Sequence, residues 1–117
     1  MKLIIQGTLP DLNTYINAER TNKFMAAKIK KEATEFVAWL VNKQRIGKIT
    51  EPISEVKIDW YVKDLKKDAD NIVFAKKFIL DGLVASGALP NDGRKYITAF
   101  NEKVFVDKNE RIDLTLN

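Results

Sequence analysis

Two aspartates separated by a single residue, in Asp68-Ala69-Asp70-Asn71, are the side chains of this sequence best suited to hold an ion or a charged reactant. They fall where an alternating strand pattern gives way to helical spacing, so both carboxylates project from one short turn toward a common point. Carboxylates that close suit a shared divalent cation, and hard oxygen ligands select magnesium, manganese or calcium over zinc or copper. The same residues suit a plainer task, because Asp and Asn at the start of a helix accept hydrogen bonds from its free backbone N–H groups. Asp92, within Pro90-Asn91-Asp92-Gly93, belongs equally to an ordinary turn sequence. Lys77 lies seven positions after Asp70, almost two turns along one helix face, and helical side chains lean back toward the N-terminus. Its ammonium is thereby within reach of a phosphate held near the acidic turn. The alternative is an exposed lysine that pairs with Asp81 one turn later, a solvated role that Lys76 fits at least as well.

Composition limits the chemistry further. The chain has no cysteine and no histidine, which excludes disulfides, thiolate metal sites, the usual zinc sites and imidazole catalysis. Carboxylates, lysines, hydroxyls or a metal ion are what remains. At 117 residues, with 45% hydrophobic and 31% charged residues, the sequence reads as one globular domain with a single core. A net charge of +4 accommodates a polyanionic partner. No apolar run approaches the roughly 20 residues needed to span a bilayer. The opening Met1 to Gln6 also lacks the apolar core of a signal peptide, so a cytoplasmic protein is expected.

The elements that must position the acidic turn follow from periodicity. Lys2 to Thr8 reads as a strand, and Asn13 to Asn22 as a polar, irregular surface loop. Lys23 to Asn42 has helical spacing, with Met25, Ile29, Phe36, Leu40 and Val41 as the buried stripe. Val56, Ile58, Trp60 and Val62 alternate as a half-buried strand that runs into the acidic turn. Asp70 to Ser86 returns to helical spacing, buried through Ala75, Phe78, Ile79, Leu83 and Val84 and ended by Gly87. Tyr96 to Val106 and the run through Ile112, Leu114 and Leu116 read as two last strands, with a hairpin over Asp107 to Glu110. The expected fold is α+β, with two helices on a small mixed sheet in the order β-α-β-α-β-β.

Taken together, Lys67-Asp68-Ala69-Asp70-Asn71, Lys77-Phe78-Ile79-Leu80-Asp81-Gly82-Leu83, Gly87 and Asn91-Asp92 form an ordered set. This set resembles the RusA family of phage and prophage Holliday junction resolvases, whose pattern is roughly Asp-x-Asp-Asn, Lys-x-x-x-Asp-Ala-Leu, Gly and Asp-Asp. The specific match runs from Lys67 to Asp92, under a quarter of the chain, while the early Leu9-Pro10 and Asn13 agree more loosely. The resemblance implies that Asp68, Asp70 and Asp92 bind a catalytic Mg²⁺, with Mn²⁺ as a substitute. It also implies that Lys77 assists at the scissile phosphate and that Asn71 supports the acidic turn. The spacing from Asn71 to the lysine is longer than in the best-known member, which leaves Lys76 against Lys77 open. Asn91 stands where that member has an acid, which leaves Asp92 the natural ligand.

What the family resemblance implies is a homodimeric endonuclease that nicks four-way DNA junctions in symmetric pairs. Forks, flaps or other branched DNA are the alternative substrates, and a non-catalytic DNA-binding phage protein is the alternative outside enzymes. Affinity for DNA would come from phosphate contacts, for which Arg20, Lys23, Lys28, Lys30, Lys31, Arg94 and Lys95 are candidates. Tyr15 and Phe24 are candidates for stacking on unpaired bases, against core packing as the plainer role.

Overall fold

A computed structural model describes all residues, 1 to 117. The chain runs β1 (Lys2–Gln6), α1 (Leu12–Thr21), α2 (Lys23–Lys43), β2 (Val56–Val62), α3 (Ala69–Val73), α4 (Lys76–Ala85), β3 (Phe100–Val106) and β4 (Arg111–Leu116). The expected α+β alternation is present, and each helical stretch between strands is made of two helices. No helix is long and apolar enough to cross a membrane.

Strand alternation decides which face of the sheet is covered. Leu3 and Ile5 of β1, Val56, Ile58 and Trp60 of β2, and Ile112, Leu114 and Leu116 of β4 are buried. Their neighbours in sequence are not, as a period of two requires. These residues join Val37, Val41, Phe78, Ile79 and Leu83 from the helices in one core of 23 buried residues, so the helices cover a single face. Strand order is β1-β4-β2-β3. β4 lies antiparallel to both β1 and β2, while β3 lies parallel to β2 with Val56 opposite Phe100 and Val62 opposite Val106. At the β1 edge, the Gln44 side chain accepts from the Ile4 N–H at 3.0 Å and donates to its carbonyl at 2.6 Å. One amide thus satisfies both backbone groups of Ile4 on an otherwise open edge.

Several sequence expectations are corrected. The stretch from Asn13 to Asn22 is not irregular: Asp11 caps α1 by accepting from the Thr14 N–H at 2.8 Å, and the helix runs to Thr21. Asp11 was legible as a cap as much as a turn residue, with Leu12, Tyr15 and Ile16 already at helical spacing behind it. The helix expected from Asp70 to Ser86 is broken at Phe74-Ala75. There the Lys77 N–H bonds to the Phe74 carbonyl at 3.2 Å and the Phe78 N–H to the Ala75 carbonyl at 3.0 Å, the tighter three-residue pattern. Its expected end is as read, with Gly87 at φ +84° just past Ser86. The strand expected from Tyr96 starts at Phe100, because the Tyr96 and Ile97 N–H groups both turn back to the Gly93 carbonyl. Asp107 to Glu110 is not a hairpin connection, since β2 lies between β3 and β4 and the segment crosses over its end.

The buried stripe of α2 is also displaced from the expected one. Leu40 and Val41 are buried, but their companions are Ala26, Ala33 and Val37, while Met25 and Phe36 are 48% and 40% exposed. The cause is a close approach between α2 and α4. A Cβ built on Gly82 would lie 2.5 Å from Val37 Cβ and 3.1 Å from the Ala38 backbone nitrogen. Where backbones approach this closely, small residues occupy the contact and large ones move to the flank. Gly82→Ala is therefore expected to destabilise the protein. Overpacking costs about 1–3 kcal/mol, which outweighs the roughly 1 kcal/mol that alanine gains over glycine in helix propensity. A lowered urea midpoint is the expected result, and an unchanged or raised one would mean that the helices do not depend on this contact.

Candidate functional site

The acidic turn is held by two polar contacts with the start of the chain. β2 ends at Val62, and Asp64 Oδ1 then accepts from the Lys66 N–H at 3.0 Å, bending the chain toward α3. Lys67 Nζ meets Asp11 Oδ2 at 2.6 Å, and Asp11 is only 7% exposed. Three residues into the turn, the Asn71 side-chain oxygen accepts from the Asn13 N–H at 2.9 Å, and Asn71 is 8% exposed. Asp11 and Asn71 are the two buried polar residues of the protein, and both join α1 to the acidic turn. Burial pushes the Asp11 carboxyl up, but the bonds from Lys67 and from Thr14, with the Lys67 charge, bring it net below the ordinary carboxylate value.

None of the three aspartates singled out in sequence is consumed by local structure. Asp68 occupies the position before α3 yet makes no side-chain capping bond. Asp70 and Asp92 are exposed, and the turn bond at Asp92 is made by its neighbour: Asn91 Oδ1 accepts from the Gly93 N–H at 2.9 Å. The fold does not, however, converge the three. No three acidic side chains lie close enough to share a metal ion. The carboxylate that shares a cleft with Asp92 is Asp81, together with Thr34, Asn91 and Lys30. Asp81 Oδ2 and Thr34 Oγ1 are buried there without hydrogen-bond partners. In sequence Asp81 belonged to the ordered set and was given only the role of a pairing partner for Lys77; nothing in its spacing reveals that Thr34 and Lys30 of α2 share its cleft.

Lys30, Lys76, Lys77 and Asp92 line one open groove of about 570 Å³ between α2, α4 and β3, floored by Tyr15, Phe74 and Phe100 among others. Asp70 precedes by four residues Phe74, the C-cap of α3, and it is Phe74 that lines the groove. The break at Phe74-Ala75 removes the continuous face that was expected to run from Asp70 to Lys77. Lys77 Nζ lies 3.6 Å from Asp81 Oδ1, the plainer of its two readings. Lys76 is the more constrained lysine: its Nζ donates to Glu102 Oε2 at 2.9 Å and sits 4.7 Å from the centre of the Phe100 ring. Glu102 was not foreseen as a partner. It falls on the helix-covered face of β3, in register with Ile58, and its other carboxylate oxygen is buried and unpartnered.

The remaining DNA-contact candidates are dispersed. Lys28 pairs with Glu32 at 3.8 Å, Lys23 and Lys95 lie over the rings of Phe24 and Tyr96, and Arg20, Lys31 and Arg94 are exposed. None of these lines the groove. Tyr15 stacks on Phe74 with ring centres 5.5 Å apart and meets Phe78 edge-on at 6.2 Å, so it packs α1 to the α3–α4 junction while also lining the groove. Phe24 is 73% exposed, with the Lys23 ammonium over its ring.

The Asp11–Lys67 pair has a testable pH signature. A carboxyl with a depressed folded value stabilises the native state above its unfolded value, and that stabilisation is lost as pH falls through the folded one. Asp11→Asn keeps a capping side chain but loses the ion pair. It is expected to be less stable than the parent at pH 7, with the difference shrinking below about pH 4, where the parent's carboxyl protonates on unfolding. A stability difference independent of pH would deny the pair its role. Compared with known proteins, the chain matches no family model, and no curated protein matches it.

Proposed function

We propose that this chain is a structure-selective DNA endonuclease that cuts four-way junctions by phosphodiester hydrolysis, acting as a homodimer in the cytoplasm, as the RusA-like pattern from Lys67 to Asp92 implies. The observation that carries the reading is the groove in which Lys30, Lys76 and Lys77 stand together beside Asp92. Three ammonium groups in one open cleft suit a phosphate backbone, and phosphate contacts dominate the affinity of DNA-binding proteins. Lys30 and Lys77 are exposed and meet the backbone directly. Lys76, fixed by Glu102, is a preorganised charge suited to stabilising the oxygen that leaves when the phosphodiester is cut.

Mg²⁺, or Mn²⁺ in its place, belongs to this proposal as the species that polarises the phosphate and supplies hydroxide when bound. Asp68, Asp70 and Asp92 are unpaired and chemically suited to it, but as they stand they do not form a three-carboxylate site. A second reading is a non-catalytic protein that binds branched DNA through the same groove.

The two readings separate in a cleavage assay. A labelled mobile four-way junction is incubated with and without Mg²⁺, beside a fork and a plain duplex, with the parent protein and Asp70→Asn. Paired, Mg²⁺-dependent nicks in the junction that vanish in the variant are the expected result. Cutting of forks in preference to junctions would redirect the substrate, and junctions bound but never cut under any divalent metal would leave the non-catalytic reading.

A further inference from the structure

A second concavity adjoins the acidic turn. It holds about 320 Å³ at the end of the sheet, between the loop after β1, the loop after β2 and the start of β4. Ile72 of α3 lines it, whereas Phe74, two residues on, lines the lysine groove. The segment that carries Asp68 and Asp70 is therefore flanked by residues of both, Lys66, Lys67 and Ile72 on the cavity and Phe74 on the groove.

The lining is divided in character. Leu9, Trp60, Val62, Ile72 and Ile112 supply an apolar wall, and Trp60, 2% exposed, carries an indole N–H with no partner in the protein. Lys63 and Lys66 are exposed and make no ion pair, unlike Lys67, which is taken by Asp11. Glu110 is half-buried and also free of any ion pair, while its backbone carbonyl accepts from the Gly7 N–H at 2.8 Å. A bare anion would meet the lysines but leave the apolar wall and the Glu110 carboxylate unused. An apolar ligand would leave all of these charges unused. A planar base with an exocyclic amino group, attached to a phosphate, satisfies each part: apolar wall for the ring, carboxylate for the amino group, lysines for the phosphate. The volume sits at the small end of the range for ligand sites, the scale of one nucleotide unit.

We propose that this cavity receives a single unpaired deoxynucleotide next to the acidic turn, its base against Trp60 and Ile72, its amino group at Glu110 and its phosphate at Lys63 and Lys66. The proposal rests on the reading of the chain as a protein that acts on DNA. Branched DNA offers unpaired nucleotides at its centre, and extruding one there costs less than from a paired stack. A pocket that accepts one such unit fixes the register of the strand over Asp68 and Asp70. The amino-bearing bases cytosine, adenine and guanine are favoured over thymine, which has no exocyclic amino group.

The chain's two tryptophans make the test direct, because Trp39 is exposed and Trp60 lies in the cavity wall. In a Trp39→Phe background, Trp60 emission is followed while dCMP, dTMP or inorganic phosphate is added, and binding of a labelled four-way junction is measured in parallel. A saturable change with dCMP is expected, with dTMP and phosphate roughly tenfold weaker. The double substitution Lys63→Ala/Lys66→Ala is expected to weaken dCMP about tenfold, and Glu110→Ala to erase its advantage over dTMP. Phosphate alone binding as tightly as dCMP would overturn the proposal in favour of a simple anion site. Silence with every nucleotide while the junction still binds would overturn the cavity's role and leave the DNA reading intact. Failure of both nucleotide and junction binding would remove the two together.

Discussion

A buried carboxylate must find a cation or give up its charge, and in this fold the Asp11 carboxylate finds Lys67. That requirement joins three parts of the chain that are distant in sequence. Asp11 also starts α1, Lys67 precedes the acidic turn, and Asn71 just beyond it accepts from the backbone of Asn13 in the first turn of the same helix. The position of Asp68 and Asp70 relative to the sheet thus depends on a pair formed between the first connection of the chain and the middle one. α1 then presents Tyr15 to Phe74 and Phe78, which packs the break between α3 and α4 into the floor of the groove.

A second constraint acts on the opposite wall. Gly82 lets α4 approach the backbone of α2 at Val37 and Ala38, closer than any side chain would allow. This brings Lys30 and Thr34 of α2 into the same clefts as Lys77, Asp81 and Asp92. β3 supplies the third side, where Glu102 holds Lys76 over the Phe100 ring. Cationic side chains from two helices therefore meet in a cleft whose acids are partly satisfied by internal pairs. Of the unpaired acids, Asp92 lines the groove, while Asp68 and Asp70 do not.

Much of this architecture was legible where burial imposes a period. The alternation of Val56, Ile58 and Trp60, the stripe of Phe78, Ile79 and Leu83, and the stop at Gly87 are all local patterns that the fold keeps. What was not legible depends on contacts between elements. The α2 stripe was read through its large residues, whereas close packing on Gly82 buries Ala33 and Val37 and leaves Phe36 outside. The hairpin over Asp107 to Glu110 was inferred from neighbours in sequence, whereas β2 occupies the space between them. For the site, sequence picked out unpaired carboxylates and a lysine pair, and it found Lys30 without its setting. Glu102 was missed and Asp81 was read only as part of the ordered set and as the partner of Lys77, because their settings arise only when α2 and β3 pack against α4.

The central claim is that the lysine groove is a surface for DNA phosphates, and the salt dependence of binding tests it most directly. Affinity for a labelled four-way junction is measured across a series of salt concentrations for the parent chain, Lys30→Ala and Lys77→Ala. If each lysine meets a phosphate, each substitution weakens binding at low salt and reduces the slope of log affinity against log salt by about one. A slope unchanged by either substitution, or a parent chain whose affinity for the junction is indifferent to salt, would contradict the account.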